Sequence, residues 1–250
     1  MSSENSALGL VLRRSDSGES DRRLLVLTED FGKVELLAKG ARKAKSRLAG
    51  SSEPLSLTRF QWASGRHRSF VTSVEPQTSF PGLRADYERL SMGLAVLELV
   101  ESSLPLESPA PGCLELVITA LHAMEKHPRP EAVFAWALSR LLDEEGQHPD
   151  WTACVVSGVG LDGDPAFVSA SAGGYVSAVE SGPYPDRTLV SATALIVLKK
   201  LGEIDTPPPA LKEVTEVVRV LVRFWSGILE KRLPGCRSVV EMLEARGMQQ

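Results

Sequence analysis

Apolar and β-branched positions in the first 75 residues fall in brief runs bounded by Gly, Ser, Asp or Pro, the pattern of short strands joined by turns. The runs cover residues 8–13, 23–28, 33–38, 55–62 and 69–75. Between the second and third, Thr28-Glu29-Asp30-Phe31-Gly32-Lys33 signals a hairpin, with Gly32 able to take positive φ where the turn needs it. After Pro81 the spacing becomes helical. Tyr87, Leu90, Leu94, Leu97, Val100 and Leu104 recur at three- and four-residue steps, which predicts a helix over 84–104 with those residues as its apolar stripe. A Pro-rich break at 105–111 is followed by amphipathic helices over 114–126 and 131–144, the second opening after His127-Pro128-Arg129-Pro130. These three helices are expected to pack on one another. Residues 146–186 are rich in Gly, Ser, Asp and Pro and have no helical period, so they predict irregular structure with room for a two-stranded ribbon. Helices resume over 188–201, over 210–232 after a Pro207-Pro208-Pro209 hinge, and over 238–245. In the second of these, Leu211, Val214, Val217, Val218, Leu221, Val222, Trp225 and Leu229 form a wide face that must be buried.

This order of elements predicts an α+β chain. An OB-fold-like small β-barrel over 1–80 precedes a helical C-terminal domain over 81–250, with the irregular insert at 146–186. In an OB barrel one sheet face and its loops meet a nucleic-acid strand. Spacing alone accommodates an SH3-like barrel equally well. A 250-residue chain with 43% hydrophobic residues has material for a sizeable core. It opens without a basic and then apolar leader, and its longest apolar runs are too short to span a bilayer, so a soluble, cytoplasmic protein is expected. Cys113, Cys154 and Cys236 are an odd number without a CxxC pair, which predicts free thiols and neither a disulfide framework nor a complete zinc site.

The net charge of -4 conceals an uneven distribution. Residues 1–70 carry net +5 and residues 71–250 net -9, so any anion is expected at the N-terminal third. The cations concentrate in Ala38-Lys39-Gly40-Ala41-Arg42-Lys43-Ala44-Lys45-Ser46-Arg47-Leu48, where five fall within nine residues and no acid intervenes. Small residues let a backbone approach closely, and Lys and Arg neutralise phosphates without reading bases. Lys39, Arg42, Lys43, Lys45 and Arg47 are therefore the candidate DNA contacts, with Arg13, Arg14, Arg66 and Arg68 on neighbouring strands as secondary ones. Among the aromatics Phe31, Phe60, Trp62 and Phe70, most are expected in the core, and one exposed on the sheet could stack a base.

Gly9-x-Val11-Leu12-Arg13, Leu25-x-Leu27-Thr28-Glu29-x-x-Gly32-Lys33, Ala38-Lys39-Gly40-Ala41-Arg42-Lys43 and Ser46-Arg47-Leu48 resemble, in that order, the N-terminal domain of the RecO family. Lys231-Arg232-Leu233-x-x-x-Arg237-Ser238 with Met242-Leu243 is similar to the family's closing segment. The resemblance implies an OB-fold domain, a helical domain and a mediator of recombination and repair. Such a protein binds single- and double-stranded DNA, anneals complementary strands, docks on the C-terminal tail of the single-stranded DNA-binding protein, and acts with RecR to load RecA, associated with the nucleoid. Many members carry a four-cysteine zinc site in the insert. Here the corresponding positions read Cys154, Ser157, Ala178 and Ser181, so a degenerate, metal-free zinc-finger remnant is expected, with no cofactor. Trp151, Phe167 and Tyr175 are its candidate packing anchors.

Two other function classes compete with this one. Catalysis lacks a constellation, because His67, His122, His127 and His148 are scattered without a nucleophile or metal partner at helical spacing, and Asp162-Gly163-Asp164 lacks the remaining ligands of a calcium loop. The alternative is a non-enzymatic interaction adaptor in which the helical domain is the working part. An acidic, hydrophobic-ended peptide would need an apolar groove flanked by cations, for which Arg219, Arg223, Lys231 and Arg232 are the candidate partner-binding residues.

Overall fold

The computed structural model describes residues 3–65, 68–161 and 165–248. The five N-terminal strands are β1 (Ser3–Ser17), β2 (Asp21–Thr28), β3 (Gly32–Ala38), β4 (Leu57–Ser64) and β5 (Ser69–Thr78), and they close a barrel in the order β1-β2-β3-β5-β4. The closing pairs are β4 with β1, antiparallel, and β3 with β5, parallel. A short helix, α1 (Leu48–Ser51), separates β3 from β4. This five-stranded arrangement is that of an OB-like barrel. Alternation sets its inside: Leu24 pairs with Leu36 and Val26 with Val34, and all four join Val11, Phe60 and Trp62 in the core. Outside the same strands stand Arg23, Leu25, Glu35 and Leu37, which pair as Arg23 with Leu37 and Leu25 with Glu35.

The turn between β2 and β3 needs its glycine twice over. Gly32 has φ +61°, and a Cβ there would lie 1.9 Å from the Ser108 carbonyl oxygen. The chain leaving α3 (Tyr87–Ser103) is fastened to the same place, because Glu107 N–H donates to the Lys33 carbonyl at 2.8 Å and the buried Lys33 ammonium donates to the Glu101 carbonyl.

Helix α3 corrects the predicted stripe. Leu97, Val100 and Leu104 are buried, but Tyr87 is 78% and Leu94 40% exposed, while Met92, Ala95, Val96 and Leu99 are buried in their place. The helix starts at an Asp86 cap that accepts the Arg89 N–H at 2.9 Å. The short helix α2 (Pro81–Arg84) precedes it, and α4 (Cys113–Lys126) follows.

The chain divides into two compact units, 1–122 and 123–250. In the second, α5 (Pro130–Glu144), α6 (Ala192–Gly202), α7 (Val214–Leu229) and α8 (Pro234–Gly247) accompany a small sheet. Trp136 and Trp225 are both fully buried. Their indole N–H groups find the carbonyls of Ile204 at 3.1 Å and Leu138 at 2.9 Å, so neither burial strands a donor. The insert holds the ribbon foreseen, β6 (Ala166–Ser169) with β7 (Gly174–Ser177), and β8 (Thr188–Val190) adds a third strand in the order β7-β6-β8. The expected helix over 188–201 therefore begins later, at Ala192, where the Ser191 hydroxyl accepts the Ala194 N–H at 3.2 Å. Helix α7 is likewise shorter than 210–232, because Glu213 and Glu230 at its ends adopt left-handed backbone, φ 49° and 51°. Of the proposed anchors, Trp151 and Tyr175 are buried; Phe167 is half-buried under the Arg187 guanidinium, 6.0 Å from its ring centroid. All three cysteines are buried, and none is in a disulfide. No described helix is long and apolar enough to cross a membrane.

Candidate nucleic-acid interface

The basic run forms the connection from β3 to α1, folded as consecutive turns: Lys43 N–H donates to the Gly40 carbonyl at 3.1 Å and Ser46 N–H to that of Lys43 at 2.9 Å. Its root is fastened to the turn between β1 and β2. The Asp21 carboxylate accepts the Gly40 N–H at 2.8 Å, and Arg42 N–H donates to the Ser20 carbonyl at 2.9 Å. The Arg42 guanidinium donates to the Gly18 carbonyl at 3.1 Å and pairs with Asp16 at 3.4 Å. The Gly40 N–H and the Ser20 hydroxyl, with the Lys39 and Lys43 ammoniums nearby, hold the Asp21 carboxyl below the usual carboxylate range. Ala41, beneath the loop, is buried in the barrel core. The loop is thus an attached part of the barrel that presents exposed cations. Lys43, Lys45 and Arg47 make no ion pair among the described residues.

The remaining cation, Lys39, continues the outward parity of Arg23 and Leu37 and places its ammonium 4.2 Å from the Phe70 ring centroid. Phe70 pairs with Leu37 and with Ala63, so it stands on the outer face, half-buried, while Phe60 and Trp62 lie in the core and Phe31 packs edge-on against Trp62 at 5.1 Å. A cleft of about 310 Å³ opens on this face between Arg23, Leu37, Gly65 and Arg68, with Glu35 and Glu107 on its wall. Arg23 pairs with Glu35 at 3.3 Å, which trims the positive potential there.

The secondary candidates do not act as one group. Arg13 is exposed and paired with Glu101 at 2.6 Å, whereas Arg14 joins Arg22 on Glu53, at 2.8 and 2.9 Å, beside α1. Arg68 is exposed at the cleft; Arg66 and His67 lie outside the described residues, as do Asp162, Gly163 and Asp164. Reading by charge missed Asp21 and Ser20, which are not basic yet position the loop. It also missed Arg23, which only strand parity could have placed on the Lys39 face. Among the partner candidates, Arg219 is half-buried and paired with Glu216 at 3.4 Å, which itself accepts from Ser191. Arg223 is exposed one turn on, and Lys231 and Arg232 follow the left-handed Glu230, so the four do not line one helix.

In the insert, the Cys154 sulfur accepts the Ser177 N–H at 3.3 Å. Burial pushes this thiol up, but hydrogen bonds from the Ser157 hydroxyl and from the N–H groups of Ser177, Ser157 and Val156 outweigh it and bring it down to about 7. The Ser181 hydroxyl is spent on the Ala178 carbonyl at 3.0 Å. One thiol, two hydroxyls already in use and an alanine do not make a tetrahedral zinc donor set. Among the described residues no group of three or more His, Cys, Asp or Glu is placed to hold a metal.

Known proteins share this sequence along its length. The family described as Recombination protein O N terminal matches residues 1–80, and Recombination protein O C terminal matches 84–233. A protein of Heliobacterium modesticaldum named DNA repair protein RecO is 31% identical over 229 residues, 87% of this chain and 83% of its own length. A Bifidobacterium adolescentis protein of the same name is 30% identical over 92% of this chain and 96% of its own. The barrel with its basic loop, the helical unit and these matches together make the chain a member of the RecO family of recombination proteins.

Proposed function

We propose that this protein acts in DNA repair and homologous recombination as a mediator without bond chemistry of its own, binding single- and double-stranded DNA on the barrel. The observation that carries the reading is the β3–α1 loop. Its backbone is tied to the barrel through Asp21 and Ser20, while Lys43, Lys45 and Arg47 are exposed and make no ion pair among the described residues. Cations held at fixed positions neutralise phosphates and release counterions without losing affinity to loop ordering. Lys39 and Phe70 add a place where a base could stack. Two strands neutralised side by side repel less and keep their base edges free, which gives annealing. The repair role named for the relatives supports the same reading. In it RecR, the tail of the single-stranded DNA-binding protein and RecA are the partners, and the work is cytoplasmic, at the nucleoid. The insert works without metal, the Cys154 sulfur being served by N–H and O–H donors.

The test is fluorescence anisotropy of a labelled mixed-sequence strand across a salt series. Five phosphate contacts predict a slope of log K against log salt of about -3.5. Changing Lys39, Arg42, Lys43, Lys45 and Arg47 to Ala, with the fold verified by circular dichroism, is expected to remove affinity and slope together. Equal binding by both proteins would transfer the function to the helical unit and favour the adaptor.

A further inference from the structure

Between α3 and α4 the chain passes the β2–β3 turn as a strap, residues 104–112, pinned to the barrel at three successive positions. Leu106 bridges to Lys33, the Glu107 N–H donates to the Lys33 carbonyl at 2.8 Å, and the Ser108 carbonyl oxygen stands 1.9 Å from where a Cβ on Gly32 would be. Lys33 is itself buried, its ammonium donating to the Glu101 carbonyl. Within this fixed strap Glu107 takes left-handed backbone, φ 55°, a conformation that Gly, Asn or Asp adopts more readily. Glu213 and Glu230 share it, but at the two ends of α7. Strained backbone of this kind gathers where a side chain must be held in one place.

What Glu107 lines is the cleft of about 310 Å³ on the outer face of the barrel, whose charges cancel: Arg23 and Arg68 against Glu35 and Glu107. Arg23 and Glu35 pair at 3.3 Å, while the exposed Arg68 and Glu107 make no ion pair among the described residues. The cleft adjoins the proposed stacking place, because Leu37 both lines it and pairs with Phe70. A strand gripped at the β3–α1 loop and stacked on Phe70 would therefore pass a carboxylate whose backbone is fixed. A duplex is stiff and shows the phosphates of both strands, about one charge per 1.7 Å of axis, so it brings phosphate against Glu107. A single strand bends, keeps its phosphates on the cations and turns a base to the carboxylate, which can accept from base amino groups. We propose that Glu107 is a specificity-determining residue that biases the barrel against double strands and so releases the duplex that annealing produces. The inference rests on the DNA reading above and adds to it a residue that weakens one mode of binding instead of supplying it.

The experiment titrates the full chain into a labelled mixed-sequence single strand, and into the same strand paired with its complement, reading anisotropy. Glu107→Gln should raise duplex affinity about fivefold, the effect of removing one like charge at close range, and single-strand affinity less than twofold. The gain on duplex should shrink as salt is added. Glu107→Asp keeps the charge and suits the left-handed backbone, so it should keep the wild-type ratio of the two affinities. Glu29→Gln is the control for net charge, since Glu29 is exposed in the β2–β3 turn and outside the lining of the cleft. It should move both affinities alike. If Glu107→Gln also moves both alike, or moves neither, Glu107 is an ordinary solvated acid and the inference falls while the DNA reading stands. A changed ratio in Glu107→Asp overturns it as well, by tying the effect to the turn and not to the charge. If wild type binds neither form, both readings fall together.

Discussion

Single atoms settle what two of the residues can be. Gly18 and Gly32 both hold positive φ, +66° and +61°, but a Cβ at Gly18 would meet nothing within 4 Å whereas one at Gly32 would meet the Ser108 carbonyl. Gly18→Ala should therefore cost only the left-handed penalty, about 1 kcal/mol. Gly32→Ala must also displace the backbone fastened to Lys33 and should cost roughly 3 kcal/mol. Urea denaturation of both variants checks this, and similar costs would mean that the 106–109 segment yields freely. Cys154 gives a residue-scale prediction in pH. Its thiol is brought down to about 7 in the folded protein, below its unfolded value, so the thiolate's contribution to stability is full above the unfolded value and is lost as pH falls through about 7. Thiolate absorbance near 240 nm, taken as the difference from Cys154→Ala, should show a midpoint near 7, and the melting temperature of wild type relative to that variant should rise between pH 7 and pH 9. A midpoint at the ordinary thiol value would leave the Ser157 and Ser177 donors without effect. Adding a chelator should leave the melting temperature unchanged if the insert is metal-free.

Elements are held by partners distant in sequence, and that is where reading the chain alone stops. The five strands were legible because Gly, Ser, Asp and Pro punctuate each apolar run, and the basic loop because its charges are contiguous. The buried face of α3 was not. Counting Leu and Tyr at helical steps selected Tyr87 and Leu94, which face water, because small Gly93 and Ala95 sit where the chain packs closely and carry no strong apolar signal. Leu83, Leu121 and Leu55 crowd around Gly93, which shows why a small residue marks the inner side. Phe70 was one of four aromatics that composition could not rank. The register shift between Gln61 and Trp62 in the β4–β5 pairing hides its face from simple alternation. The loop's anchor also escaped, since Asp21 lies 19 residues before Gly40 and reads as an ordinary turn acid. The anchor makes its own prediction: Asp21→Ala should speed hydrogen exchange at the Gly40 amide about fivefold, and Asp21→Asn, which keeps an acceptor oxygen without its charge, should speed it less. Because the folded Asp21 value is lowered, its contribution is present above the unfolded value and lost as pH falls through the folded one, so protection at Gly40 should persist to the low end of the carboxylate range. Equal exchange in all three proteins would show a loop that keeps its shape without Asp21.

At the scale of the whole molecule the decisive property is charge of two signs on one chain: net +5 in residues 1–70 and net -9 in the remainder. A uniformly basic protein would coat DNA along its length and crowd out the second strand. In the proposed function the cations of the β3–α1 loop meet the phosphates while the acidic remainder is repelled by them, so a bound molecule would cover little of the strand and leave bases open. Salt acts on the two routes to a duplex in opposite directions. Free strands anneal faster as salt screens their repulsion, while strands bound as proposed would lose the cations that draw them together. The ratio of promoted to spontaneous annealing should therefore fall steeply with added salt, in parallel with single-strand affinity, and should fall to one for the variant lacking the five loop cations. Stopped-flow annealing of complementary labelled strands across the same salt series measures it. A ratio that stayed constant while affinity fell would separate annealing from phosphate neutralisation and would place it on another surface of the protein.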